Sequence, residues 1–330
     1  MRQHRQIFAI LLSLSCVTAA HASCGSSACA INTNWDEHSA SKPGLSMDLR
    51  YSYSKADQLR SGSSKINADT TFNGEVENLS TVNRITTATL DYSFNEHWGA
   101  MLAAPFISRD HSHNLGPYTG STPAGSETFT ANALGDVKLV GRYRWELGDT
   151  GFSSAGVKLG MKLNTGRQDS LIVDNLGNSK LPTEVTLQTG SGSTDLVAGA
   201  FWQLSDPASS LSWFAQAMAQ SAINSRADFR PGDQYNLDAG MRYAFSKSMS
   251  GLLQLNSQWN AADSGSSAAL TPAGATSSGG NSVLLTPGLI YAITTGTNLY
   301  GLVQIPLYHY VNGEQLTVSQ AFTVGINHRF

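Results

Sequence analysis

GDVKLVGRYRWELGDTGFSSAGVKLGMKLN, residues 135–164, is the stretch that decides the fold. In its first half Val137, Leu139, Tyr143 and Trp145 share one parity, while Asp136, Lys138, Arg142 and Arg144 share the other. In its second half Val157, Leu159, Met161 and Leu163 are apolar, and Lys158 and Lys162 stand between them. A period of two puts alternate side chains on opposite faces of a strand. The GDTGFS joint between the halves is a turn signal. The stretch therefore reads as an antiparallel hairpin with one oily face and one strongly charged face.

The same module recurs on both sides of it. Runs of about 10–13 residues alternate in this way from Gly44 to the end, and the connections between them are short and long in turn. The first run, from Gly44 to about Lys55, sends Leu45, Met47, Leu49, Tyr51 and Tyr53 one way and Ser46, Asp48, Arg50 and Ser52 the other. Later runs are expected near Ser193–Leu204, Leu211–Ile223, Gln234–Ser246, Met249–Asn260, Ser282–Thr294, Asn298–Tyr310 and Thr317–Phe330. Long loops are expected up to about Ser80, from Asp110 to Ala133, from Thr165 to Gly192, from Ala261 to Asn281, and at VNGEQL. The fold class that follows is all-β, an antiparallel transmembrane β-barrel of about twelve strands, an even number as single-chain bacterial barrels have.

Alternation alone also fits a soluble sandwich, and three features decide against one. The runs are about twice the five or six residues of an average soluble strand, and match the ~9–11 residues a tilted membrane strand needs. Aromatic residues gather at the short turns: Phe94 and Trp98 at one, Trp202 and Trp213 at another, Tyr243 and Phe245 beside a third. Such rings suit a lipid–water boundary. The last run is amphipathic and ends on Phe330, which resembles the C-terminal signal read by the barrel-assembly machinery. In hydrocarbon an open edge would strand backbone N–H and C=O groups, so the Gly44–Ser54 and Thr317–Phe330 runs must pair.

The N-terminus sets the compartment. MRQHRQIFAILLSLSCVTAAHAS has a basic start, an apolar stretch from Ile7 to Leu14, and Ala20-His21-Ala22 before Ser23, the layout of a cleaved export signal. The division expected is residues 1–22 as signal peptide, 23–43 as a periplasmic segment and 44–330 as barrel. Cys24 and Cys29, close together in an oxidising compartment, form a disulfide loop on the simplest reading, with a metal or redox pair as the sharper one. The whole chain carries 21 Lys and Arg against 24 Asp and Glu. An acidic chain of this kind argues against nucleic acid as a partner. The partners expected instead are the lipid bilayer with lipopolysaccharide, the assembly machinery, and small solutes, in the bacterial outer membrane.

Three segments, GDVKLVGRY (135–143), GVKLGMKLNTGR (156–167) and GSTDLVAG (192–199), resemble the "MetA-pathway of phenol degradation" family of outer-membrane barrels. That family usually has Pro where Asn164 stands. The lead-in CGSSACAINTNWD (24–36) is similar to one seen in barrels of this type. The resemblance implies an outer-membrane location and passage of small organic molecules. It brings no catalytic residue and no cofactor with it.

The residues that carry chemistry lie on the charged faces. Lys138, Arg142, Arg144, Lys158 and Lys162, with Asp136 and Asp195 nearby and Asp238 and Arg242 on another strand, are expected to point inward. Gln254, Asn256, Thr286, Gln304 and Tyr308 are expected inward on the later strands. Two readings of the charged set stay open: a basic lumen wall that favours polar, aromatic or anionic solutes, or an ion-pair network that props the barrel shut. His111 and His113 form an H-x-H pair in a supposed loop, either a two-ligand metal site or ordinary polar loop residues. A scaffold barrel that docks a periplasmic partner through residues 23–43 and an outer-membrane hydrolase are the rival classes. The second lacks a GxSxG elbow or any spacing that singles out a nucleophile set, so no enzyme is expected.

Overall fold

The structure, a computed structural model, describes residues 43–67, 75–115, 119, 122, 125–173, 180–182, 185–224, 229–265 and 278–330. The expected signal peptide and the segment after it, with Cys24 and Cys29, lie outside the described residues. The strands are β1 (Gly44–Gly62), β2 (Ser64–Lys65), β3 (Glu75–Ser93), β4 (Trp98–Leu115), β5 (Gly125–Leu134), β6 (Lys138–Leu147), β7 (Ser153–Lys162), β8 (Leu171–Val173) and β9 (Lys180–Pro182). They continue as β10 (Asp195–Ser205), β11 (Leu211–Ala222), β12 (Gln234–Ala244), β13 (Met249–Asn260), β14 (Gly280–Ala292) and β15 (Thr297–Arg329).

All but β8 and β9, which pair with each other, join one antiparallel sheet that closes on itself, β15 returning to pair with β1 from Ser46 opposite Arg329 to Tyr53 opposite Phe322. The seam demanded by hydrocarbon's lack of hydrogen-bonding partners is therefore made. β15 is a hairpin. Residues from Asn298 to Val311 pair with β14, residues from Glu314 to Arg329 pair with β1, and the Arg329 N–H reaches back to the Gly296 carbonyl at 2.8 Å. It turns at Asn312-Gly313, with Gly313 at φ 63°, the dipeptide a two-residue hairpin turn favours. Eleven elements follow one another round the ring, and the last supplies two staves, so the described barrel has twelve. β5 extends the β6 stave: β4 pairs with β6 from Trp98 to Ala103 and with β5 from Phe106 to Leu115.

The polarity is inside out. Leu49, Leu90, Leu139, Leu159, Leu237, Leu255, Leu289 and Val324 are exposed on the outer surface, Leu159 by 63%. Arg142, Lys158, Lys162, Asp195, Gln216, Asp238, Gln254 and Thr286 are buried within. On β13 the exposed row runs from Met249 to Trp259, a band of roughly 25 Å once strand tilt is allowed for. Rings mark its edge at the short turns, where Trp98 lies 4.6 Å from Tyr143 and Tyr243 packs edge-on against Phe245 at 5.3 Å.

Three expectations need correction. The loops placed before Ser80 and after Asp110 are largely strand: β1, β3 and β4 continue well past the apolar band, and β5 pairs with the β4 extension. Beyond the band the outer face meets water, so the pairing persists while the oily outward parity stops; the inner face there buries small apolar clusters such as Ala56, Leu59 and Leu316. VNGEQL is a tight turn within β15, since Val311 still pairs with β14 and Gln315 already with β1. Tyr308 faces outward, 47% exposed. A register shift at Val283/Leu284, opposite Pro306 and Tyr308, flips the parity of β15 there. A proline without an N–H belongs at such an irregularity.

Large inward side chains lie along the wall because small ones make room for them. Phe201 covers Gly156, Phe214 covers Gly240 and Tyr300 covers Gly325; a methyl group on any of these glycines would overlap the ring. Alternation of small and large residues is how a narrow barrel fits its own interior.

Candidate functional site: the lumen

Within the barrel lies a chamber of about 610 Å³. Its lining brings together Asp136, Lys138, Arg142, Lys158, Lys162, Asp195 and Asp238 from the sequence-predicted set, and leaves out Arg144 and Arg242. Arg144 sits near the short turns, where its main-chain carbonyl meets the His97 ring at 3.0 Å and its guanidinium is 3.7 Å from Glu146. Arg242 lies on β12 opposite Leu252 of β13.

One wall of the chamber, β6, β7, β10 and β11, is a continuous charged network. Cross-strand register makes it: Lys138, Lys162, Asp195 and Ala222 are level on four successive staves. The Lys138 ammonium donates to the Gln220 side-chain carbonyl at 2.8 Å, and Gln220 donates to Asp195 at 2.7 Å. Lys162 bonds Asp136 at 3.0 Å and lies 3.3 Å from Asp195, all three side chains being almost fully buried. Asp136 also accepts the main-chain N–H groups of Gly166 and Ser191, each at 2.9 Å. That carboxylate ties the break between β5 and β6 to the long connection that passes it, with partners standing in for ladder bonds. Lys158 donates to Gln216 at 2.6 Å and stands 5.2 Å over the Phe201 ring. Arg142 pairs with Asp91 and donates to Ser93 at 2.7 Å. The segments that carry the family resemblance form β6, β7 and β10, three neighbouring staves, and meet at Lys162, Asp136 and Asp195.

The other wall, β12 to β15, is built mainly from amides and hydrocarbon around the buried carboxylate of Asp238. Thr286 donates to Asn256 at 2.6 Å and Asn256 donates to Asp238 at 2.6 Å. Toward the short turns, Leu252, Ile290, Tyr300 and Leu302 form an apolar cluster with Phe214 against it. The Tyr300 hydroxyl donates to Asp48 at 2.7 Å across the closing seam.

Beyond the membrane band, His111 and His113 project inward from β4 and are buried, not displayed on a loop. The His111 Nδ1 lies 2.8 Å from the Thr81 hydroxyl and its Nε2 lies 3.4 Å from His113 Nδ1. Burial first, then the neighbouring charges of His113 and Arg109, lowers the His111 pKa to about 3. Among the described residues no group of three or more His, Cys, Asp and Glu side chains is placed to hold a metal ion. Next to the pair, the Arg109 guanidinium donates to Asn83 at 2.6 Å and to the carbonyls of Thr186 and Gln188 at 2.9 and 3.2 Å, which pins the 3-10 turn Val185–Leu187 against the inner wall.

Sequence reading missed Arg109, Gln216 and Gln220. Parity places each of them inward, but only register shows which partner each meets.

No protein-family model matches this sequence, and no curated protein does. Solved structures do match in shape. An outer-membrane channel from Pseudomonas putida F1 aligns at 12% identity over 88% of this chain and 96% of its own, with a TM-score of 0.60. The transport unit of the autotransporter AIDA-I from Escherichia coli aligns at 10% over 93% and 95%, with a TM-score of 0.48. The KdgM porin aligns at 10% over 86% and 99%, with a TM-score of 0.41. At such identities the likeness concerns the fold, and the fold is that of an outer-membrane barrel.

Proposed function

We propose that the protein is an outer-membrane, porin-like channel for small polar, aromatic or anionic solutes. In this reading residues 1–22 are an export signal, residues 23–43 face the periplasm with Cys24 and Cys29 in a disulfide loop, and the strand ending at Phe330 is the segment the assembly machinery recognises. The observation that carries the proposal is the charge-lined chamber inside a barrel whose outer surface is oil. Lys138 and Lys158 line the chamber and donate to the side chains of Gln220 and Gln216. Lys138, Arg142, Lys158 and Lys162 gather on one side of the chamber, and a wall rich in cations lowers the barrier for an anion beside it. Lys162, flanked by Asp136 and Asp195, is the structural member of the set.

The test is conductance of the purified protein in planar bilayers under a salt gradient. Single-channel steps with a reversal potential favouring the anion are expected. Lys138→Gln with Lys158→Gln moves that potential toward zero while steps persist. A protein that inserts and gives no steps at all ends the channel reading.

A further inference from the structure

β4 departs from the alternation that builds the barrel. Its stretch GAMLAAPFI, residues 99–107, is apolar on both faces. Leu102 and Phe106 are exposed on the outer surface, where lipid rewards them. Met101, Ala103, Pro105 and Ile107 have the opposite parity and line the chamber, and so does Ile85, which pairs with Ile107 from β3. The end of this strip away from the short turns is covered. Ile107 is 6% exposed, and Gly135 lies so close that a methyl group on it would overlap the Ile107 side chain. The rest is open to the lumen. Ile85, Met101, Ala103 and Pro105 are partly exposed, whereas Val140 and Val197, level with Met101 on the charged wall, are buried.

Hydrocarbon facing lumen water gains nothing until something apolar covers it. Cations stand on both sides of the strip. Lys138 is opposite Ala103 on the next stave. Arg50 is opposite Thr87, and Thr87 is opposite Pro105. Both cations line the chamber, and the charge of one reaches the other across the strip. The acids on this side have partners: Asp91, level with Met101, is held by Arg142, and Asp48 accepts the Tyr300 hydroxyl. We propose that the strip is a binding subsite for carboxylates with a compact hydrocarbon body. The carboxylate lies between Lys138 and Arg50, and the body covers Ile85, Met101, Ala103 and Pro105. From Met101 to Pro105 the strand rises about 13 Å, room for a six-carbon chain along it. Neither half of the site suffices alone. A polyhydroxylated anion meets the cations but sets its hydroxyl groups against hydrocarbon. A neutral hydrocarbon meets the strip and brings the cations nothing. The subsite presupposes the lumen as a route for solutes, and narrows those solutes to amphipathic anions.

Hexanoate and gluconate have the same charge and the same number of carbons, and differ in whether the body is apolar. The full-length barrel is inserted in planar bilayers, and each anion is titrated for block of the chloride current. In the wild type hexanoate is expected to block at a concentration roughly tenfold below that of gluconate, the effect of covering about two methylene groups. Met101→Gln with Ile85→Thr keeps the side-chain sizes and should bring the two concentrations together. Ile85→Thr alone shifts them less, in the same direction, and serves if the double variant does not insert. Lys138→Gln should weaken block by both anions alike and keep their ratio. Equal block by the two anions in the wild type, or a ratio that survives Met101→Gln with Ile85→Thr, overturns the strip as a subsite. Hexanoate block undiminished in Lys138→Gln overturns the place given to the carboxylate. If the wild type inserts and gives no steps, the channel reading is lost, and the subsite is read by thermal unfolding. Hexanoate then raises the midpoint of the wild type more than gluconate does, and more than it raises that of the variant, whereas equal shifts overturn the subsite.

Discussion

The two walls of the lumen solve the same problem in opposite ways. Both must line the inside of a barrel with groups that lipid would not tolerate. On β6, β7, β10 and β11 the groups are charged, and each carboxylate is shared: Asp136 serves Lys162, Gly166 and Ser191, while Asp195 serves Lys162 and Gln220. On β13 to β15 the groups are neutral, and the Gln254 amide and the Gln304 amide oxygen lack partners among the described residues. The difference teaches that interior polarity and interior satisfaction are separate properties. The charged wall holds its shape because removing any member leaves a bare charge. The amide wall leaves buried polar atoms unmet among the described residues.

The largest effect expected follows from the charged wall. Lys162→Met leaves Asp136 and Asp195 buried without their shared cation, and breaking a buried ion pair from one side costs about 3–5 kcal/mol. Urea unfolding of the barrel in lipid vesicles should show a loss of that order. A loss below about 1 kcal/mol, the scale of an exposed pair, would show that lumen water screens the cluster and that the two walls do not differ in kind.

The amide wall should respond with the opposite sign. Gln254→Met exchanges two orphaned polar atoms for a side chain of similar shape beside Leu252 and Phe214. Replacing unsatisfied groups with apolar ones removes a desolvation penalty of about 1–3 kcal/mol. The variant should therefore be as stable as the wild type or up to that much more stable in the same assay. A clear destabilisation would mean that Gln254 is already satisfied in the folded barrel, and would erase the contrast between the walls.

Much of this arrangement is legible in the sequence. Parity gave the inward face of β6, β7 and β12, because lipid outside enforces an oily residue at every second position of those strands. It gave the closing seam, because hydrocarbon forbids an edge. It failed where the enforcing solvent ends. β1, β3 and β4 run on past the band, where Lys55, Arg84 and Asp110 face outward into water and the alternation of oil and charge is gone. The H-x-H pair lies in that stretch, where alternation no longer marks a strand. Parity also failed at Pro306, where an irregularity flips Tyr308 outward. Partners were out of reach for a different reason. That Lys138 meets Gln220, 82 residues away, depends on the register of four staves and on no local signal.

The smallest effect expected lies in the part parity missed. His111 is packed between Thr81 and His113 above the membrane band, with Arg109 also facing it, and its pKa falls from 6.5 to about 3. The folded state thus holds the neutral ring, while the unfolded chain takes up a proton as pH drops through 6.5. Protonation then favours the unfolded state, so stability contributed here is complete above 6.5 and is lost progressively as pH falls toward 3. His111→Gln removes the titration and the ring's bond to Thr81, worth about 1 kcal/mol. Above 6.5 the variant should be the weaker by that margin. On the acid side its urea midpoint should decline less steeply than that of the wild type, until the order reverses. Parallel pH profiles would mean that the imidazole is hydrated in the folded barrel, and that the tall part of β4 shelters its histidines no better than a loop would.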